Sequence, residues 1–236
     1  MADRSTSIPG NQIENDSVKQ DELDITNTPS DGQILKINMP TGDFTAIDGG
    51  GDVTAGSNIT DNAIVRGDGG SKGIQESTAR ISDDGEITNT SQPAFQVVPS
   101  SNQTNIAVAS DVTVVFGTER FDQGSNFTSN TFTAPVSGKY QLNIFLQSGA
   151  LDSSAVLYEL RITTSNRNYG IYLDPLSLAG DTGANGHTIS GSVVADMDAN
   201  DTAYITVYQA GGAQQFGIYG GASTALQTYF SGYLLG

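Results

Sequence analysis

From residue 94 onward, apolar and polar residues alternate along the chain. In residues 138–148, Tyr140, Leu142, Ile144 and Leu146 fall on one side, and Gln141, Asn143 and Gln147 on the other. A period of two marks a half-buried β-strand. Residues 155–163 repeat it, with Val156, Tyr158, Leu160 and Ile162 against Glu159 and Arg161. Ala203, Ile205 and Val207 do the same in residues 202–209. Related runs predict strands over 94–98, 104–108, 112–116, 130–133, 167–173, 188–196 and 228–235. Gly-rich turns separate them, and no useful run has helical periodicity. Many short strands with such turns predict a sandwich or jelly roll.

The earlier residues read differently. Asp31-Gly32 and Thr41-Gly42 are turn signals, and they bracket expected strands at 34–38 and 44–47. After a Gly-rich stretch, short strands are expected at 63–66, 73–76 and 79–82, and a short helix is expected at 17–23. Before Ala94 the sole aromatic residue is Phe44. A segment so poor in large apolar groups cannot by itself offset its ordering entropy. The sequence therefore divides into an acidic N-terminal segment (1–26), short hairpins forming a stalk or collar (27–93), and one all-β head (94–236).

Composition narrows the function classes. The chain has 236 residues and no cysteine, which removes disulfide and thiolate-metal chemistry. Ten Lys and Arg against 26 Asp and Glu leave a formal charge of -16. Clustered cations, which a phosphate backbone requires, are missing, so no nucleic-acid partner is expected. No signal-peptide pattern and no apolar run long enough to span a bilayer is visible, so the expectation is a cytosolically made protein with no membrane insertion.

Four phrases carry a resemblance. They are "FDQGSNF" (121–127), "FTAPVSGKYQLNI" (132–144), "DANDTAYITVY" (198–208) and "YFSGYLL" (229–235), in that order. Together they resemble the complement component 1q-type globular head of the tumour-necrosis-factor jelly-roll superfamily. The resemblance implies an all-β, ten-stranded jelly-roll sandwich that assembles as a homotrimer. One departure is Asn200 where the pattern usually has Gly; Asn tolerates positive φ. Phe145, Tyr204 and Tyr208 have the outward parity of their strands. They are the expected trimer-interface residues, unless the second sheet of the sandwich covers them.

"DNAIVRGDGGSKGIQESTARISDDGEIT" and "PSDGQILKI" with "GDFTAI" resemble recurring elements of tailed-bacteriophage fibre and spike proteins. That resemblance implies a virion-surface protein. Its N-terminal segment would contact other virion proteins, and its head would contact a host-surface glycan or protein. Alternatives at this stage are a capsid head-decoration protein with a structural role and a bacterial surface adhesin.

Candidate site residues follow. Loops at one end of the sandwich supply expected receptor contacts at Asp152, Ser153, Asp181, Asn185, His187 and Gln214. Asp196, Asp198 and Asp201 lie in "DMDAND", which is either a solvated acidic turn or a Ca²⁺ site shared near a three-fold axis. It is no EF-hand, because Asp201 and Val207 stand where Gly and Glu are needed. Arg66-Gly67-Asp68 spells an integrin-binding tripeptide but reads as a turn within the fibre pattern. No serine has nucleophile-elbow surroundings, and no cofactor motif is present, so the protein is expected not to be an enzyme.

Overall fold

A computed structural model describes residues 33–37, 44–48, 54–55, 58–69, 73–177, 186–221 and 226–236. The expected helix at 17–23 lies outside them. The chain divides into two units, Met1–Ser77 and Thr78–Gly236.

In the first unit, β1 (Gln33–Ile37) and β2 (Phe44–Asp48) form the expected antiparallel hairpin, with Ile34 opposite Ile47 and Ile37 opposite Phe44. β3 (Thr54–Ala55) runs parallel to the start of β5 (Gly73–Ile81), and β4 (Ala63–Gly67) lies on β5's other side. The sequence reading split β5 into two strands at Ser77-Thr78. The strand is continuous, since nothing after Gly73 breaks extended backbone and Ser77 Oγ donates to the Ile64 carbonyl at 2.7 Å.

The second unit, Thr78–Gly236, begins within β5 and takes in the residues expected to form the head, 94–236. Its strands are β6 (Ile87–Asn89), β7 (Ala94–Val98), β8 (Val112–Thr113), β9 (Thr118–Gln123), β10 (Phe127–Thr128), β11 (Thr131–Thr133), β12 (Gly138–Gly149), β13 (Ala155–Thr164), β14 (Asn168–Leu173), β15 (His187–Met197), β16 (Thr202–Gly211), β17 (Gly217–Ile218) and β18 (Thr228–Leu234). Sheet I has the order β15-β12-β18-β7-β9, with β17 added on β12. Sheet II has the order β10-β11-β16-β13-β14, with β8 added on β16. All pairings within the two sheets are antiparallel, and successive long strands alternate between sheets. This is the all-β jelly-roll sandwich expected from the alternation.

The inner faces meet in one core. Tyr140, Leu142, Ile144 and Leu146 of β12 are buried against Leu160, Ile162, Ile205 and Val207 of sheet II. At its centre is an aromatic cluster. Phe95 on β7 stacks on Phe132 at 4.6 Å and on Phe127 at 5.4 Å, and meets Phe230 edge-on at 5.0 Å. Such pairs stabilise beyond their buried area. Gly232 makes this approach feasible. A Cβ there would lie 2.7 Å from Leu142 Cδ2, 2.8 Å from Phe95 Cε1 and 3.0 Å from the Gln141 carbonyl.

The turn before β12 is closed by that strand itself. Tyr140 is fully buried, and its hydroxyl donates to the Val136 carbonyl at 2.7 Å. The same turn abuts the β15–β16 turn: Ala134 N–H donates to the Asp201 carbonyl at 2.8 Å, and Asn200 N–H to the Ala134 carbonyl at 2.7 Å. Asn200 has φ 74°, the left-handed conformation that its substitution for Gly permits.

Three strand expectations are corrected. Residues 104–108 form no strand, because Asn105 (φ 59°) and Ala109 (φ 57°) are left-handed and break the extension. Residues 112–116 shrink to Val112–Thr113. In β13 a register shift between Ala155 and Leu157 buries Ala155 and turns Val156 outward, 75% exposed, against the inward position its parity predicts. β9 was missed, since "TERFDQ" has no apolar alternation; it is held by pairing to β7.

Phe95→Ala is expected to destabilise the head by about 3–5 kcal/mol. Gly232→Ala is expected to cost about 1–3 kcal/mol through overpacking, although it adds apolar surface. Urea titration of both variants checks this; a neutral or stabilising Gly232→Ala would contradict the close approach.

Candidate functional site at the loop end of the sandwich

The β12–β13 loop is tied to the β16–β17 loop by one carboxylate. Asp152 Oδ1 accepts from Ser154 N–H at 2.8 Å and Ser154 Oγ at 2.6 Å. Its Oδ2 accepts from Ala213 N–H at 2.8 Å and Gln214 N–H at 2.9 Å. The Gln214 N–H is the leading cause holding the Asp152 carboxyl well below the usual carboxylate range; the Ser154 and Ala213 bonds add to it. Gly212 makes room for the clamp, since a Cβ there would lie 2.7 Å from Asp152 Oδ2, and its φ is +79°.

Gln214 is likewise spent inside the loop pair. Its Nε2 donates to the Ala150 carbonyl at 3.2 Å, and its own carbonyl accepts from Gln209 Nε2 at 2.9 Å. Of the expected receptor contacts, then, Asp152 and Gln214 hold the loops in place, while Ser153 is exposed. His187 opens β15 opposite Ser148, whose hydroxyl donates to the His187 carbonyl at 3.1 Å. Asp181 and Asn185 lie outside the described residues.

Beside this clamp is an open cleft of about 260 Å³. Its floor is β17, with Phe216 and Ile218 buried beneath. One wall is the end of β12 and Ala150; the other is the segment carrying Asn102, Thr104 and Asn105. Backbone bonds fix both walls: Gln103 and Ile218 exchange N–H···O bonds at 3.0 and 2.8 Å, and β12 pairs Ser148 with Ile218. Gln215 and Tyr219 complete the lining. Sequence reasoning missed Asn105 and Tyr219. The strand expected at 104–108 hid the first, and no pattern marked the second.

At the other end of the sandwich, "DMDAND" closes a turn. Asp201 Oδ2 accepts from Asp198 N–H and from Asn166 Nδ2, each at 2.8 Å. Asp196 pairs with Arg167 at 3.1 Å. Among the described residues, no group of three or more His, Cys, Asp or Glu is placed to hold a metal ion. Asp196, Asp198 and Asp201 are thus not assembled into a Ca²⁺ ligand set within this chain.

The three outward aromatic residues separate. Phe145 lies on the outer face of sheet I, half-buried against Tyr229 in a parallel stack at 5.4 Å and 4°. Tyr204 and Tyr208 lie on the outer face of sheet II. Tyr208 sits under the Arg161 guanidinium at 5.7 Å, and Arg161 donates to Glu159 at 2.5 Å and to Asp111 at 2.6 Å. The opposite sheet covers none of the three, as all project away from the core. In the first unit, Arg66 Nη1 donates to the Gly67 carbonyl at 3.3 Å, and its guanidinium lies 2.8 Å from the Gln75 side-chain amide across β4 and β5. That guanidinium is engaged within its own hairpin.

No family model and no curated protein matches the chain. Solved structures similar to it include a zebrafish complement 1qA globular domain, at 18% identity and TM-score 0.42, covering 61% of this chain and 98% of that one. Two structures of murine APRIL, at pH 8.0 and pH 8.5, show 11% and 10% identity with TM-scores of 0.41 and 0.40. Each covers 61% of this chain and 99% of its own.

The Asp152 clamp has a pH signature. A carboxyl depressed in the folded state stabilises fully above its unfolded value, about 3.9, and that stabilisation is lost as pH falls through the lower folded value. Asp152→Asn is expected to lower the melting temperature at pH 7, with the gap to the parent chain narrowing below about pH 4. Thermal melts from pH 7 to pH 2 read this; a gap independent of pH would remove the carboxylate from the clamp.

Proposed function

We propose that this chain is a homotrimeric surface protein of a bacteriophage virion, a short fibre or spike whose jelly-roll head binds the host cell. The observation that carries the self-association is the outer face of sheet I. The Phe145–Tyr229 stack stands on that face; farther along it, beyond the row of Asn143, Ser192 and Ser231, Val194 (55% exposed) and Tyr233 (46% exposed) lie on either side of Gln141. β12 pairs directly with β15 and β18, so these residues share one surface. A monomer leaves these apolar side chains in water, whereas a closed three-fold assembly buries them.

Tyr204 and Tyr208 are not needed for this interface. They sit on the opposite face, and the Arg161–Glu159–Asp111 group accounts for Tyr208 locally. The resemblance of residues 27–88 to fibre elements supports the virion assignment, with the N-terminal segment contacting other virion proteins. Three heads presenting identical loop ends would bind a surface through effective concentration, so each site can be weak. The clamped loops are suited to this because they are ordered before contact.

Light scattering on the full chain is expected to give three times 24.6 kDa. Phe145→Asp is expected to give the monomer mass with the same far-ultraviolet circular dichroism, and Tyr204→Asp to leave the trimer intact. A monomeric parent chain would overturn the reading. A trimer lost with Tyr204→Asp and kept with Phe145→Asp would move the interface to sheet II.

A further inference from the structure

We propose that the loop-end cleft binds a neutral pyranose, a single sugar ring of a glycan on the host surface. This rests on the reading of the head as a host-binding module and names the ligand class of its loop end. The first argument is charge. Among the described residues, the lining contains no Asp, Glu, Lys, Arg or His. A charged ligand would enter without a counter-charge, which is costly even in a half-open site. The chain's formal charge of -16 adds to the disfavour for an anion.

The second argument is hydrogen-bonding capacity. The side chains of Thr104, Asn105 and Gln215 and the Tyr219 hydroxyl make no hydrogen bond among the described residues. Amides and hydroxyls both donate and accept, which matches sugar hydroxyl groups that do the same. Asn102 is already partly used, its Oδ1 accepting from Gly220 N–H at 2.9 Å. The remaining groups sit around β17, beneath which Phe216 and Ile218 are buried, and the partly exposed Tyr219 ring is the apolar face against which the C–H face of a pyranose can rest.

The third argument is preformed space. Gly149 is buried in the wall, and a Cβ there would stand 2.5 Å from the Tyr219 hydroxyl oxygen. Glycine at this position therefore lets the tyrosine ring lie against the strand. Tyr219 N–H donates to the Gln147 carbonyl at 2.8 Å, and Ile106 N–H to the Phe216 carbonyl at 3.0 Å, so both walls are tied to the sandwich. Little ordering remains to be done on binding. At about 260 Å³ the cleft is smaller than sites for drug-sized ligands, so one ring rather than a chain of rings fits inside.

The test uses the full chain, labelled, on an array of immobilised neutral oligosaccharides ending in glucose, galactose or N-acetylglucosamine. Sialylated and phosphorylated glycans share the array, and a panel of intact bacterial strains is stained in parallel. The expected result is binding to at least one neutral glycan. Tyr219→Phe and Gln215→Ala should each weaken it at least tenfold while leaving trimer mass and melting temperature unchanged. Neutral-glycan binding retained by both variants would overturn the cleft as the site. Binding to anionic glycans alone, or to none while strains still stain, would overturn the sugar class and leave host binding standing. Absence of staining on every strain, with no array binding, would overturn both readings.

Discussion

The head depends on Phe95 being able to sit flat against Phe132 while touching Phe230 on the neighbouring strand. These three rings come from β7, β11 and β18, far apart in the chain, and they join sheet I to sheet II. Gly232, opposite Phe95 in the β18–β7 ladder, is what lets the ring in. Register then follows: shifting β18 by one residue would put Ser231 in the place of Gly232 and face Phe230 outward. The residues that look most like a motif, Phe-Ser-Gly-Tyr, are thus an alternation with a gap cut into it for a ring from another strand.

With the core fixed, the two ends of the sandwich do different things. At one end, the turn before β12 and the turn before β16 close on each other through backbone bonds and Tyr140, and the Asp196 and Asp201 carboxylates there are engaged by Arg167, Asn166 and the turn itself. At the other end, one carboxylate on a loop accepts four hydrogen bonds and holds a second loop beside a cleft. Backbone bonds between Gln103 and Ile218 and the β12–β17 pairing fix the cleft walls, and the Asp152 carboxylate fixes the exposed loops beside them.

The sandwich was legible in the sequence because its long strands bury one face each, and period two survives in Tyr140-Leu142-Ile144-Leu146 without help from context. What was not legible was set by pairing alone. β9 has no buried stripe to announce it, and Val156 fails its parity because a bulge two residues into β13 resets the count. The site was legible only as a region. The loops around Asp152 and Gln214 were identified from their composition, yet small polar residues do not say whether they face a partner or each other. Here Asp152 and Gln214 face each other's loops, and the free polar groups are their neighbours Gln215, Asn105 and Tyr219.

Charge completes the division between holding and binding. A chain with 26 acids and ten bases has few cations to spare. In the head, Arg161 is committed to Glu159 and Asp111, and Arg167 to Asp196. Glu159 is buried, and its carboxyl is held below its usual range first by the Arg161 hydrogen bond. Removing that arginine would strand a buried carboxylate, so it cannot be freed for a ligand without cost. In the proposed sugar site, whose described lining carries no charged side chain, recognition would run through hydrogen bonds and apolar contact rather than ion pairing. Selectivity would come from the geometry of a few amides and one phenol, and affinity from the number of heads brought to the same surface.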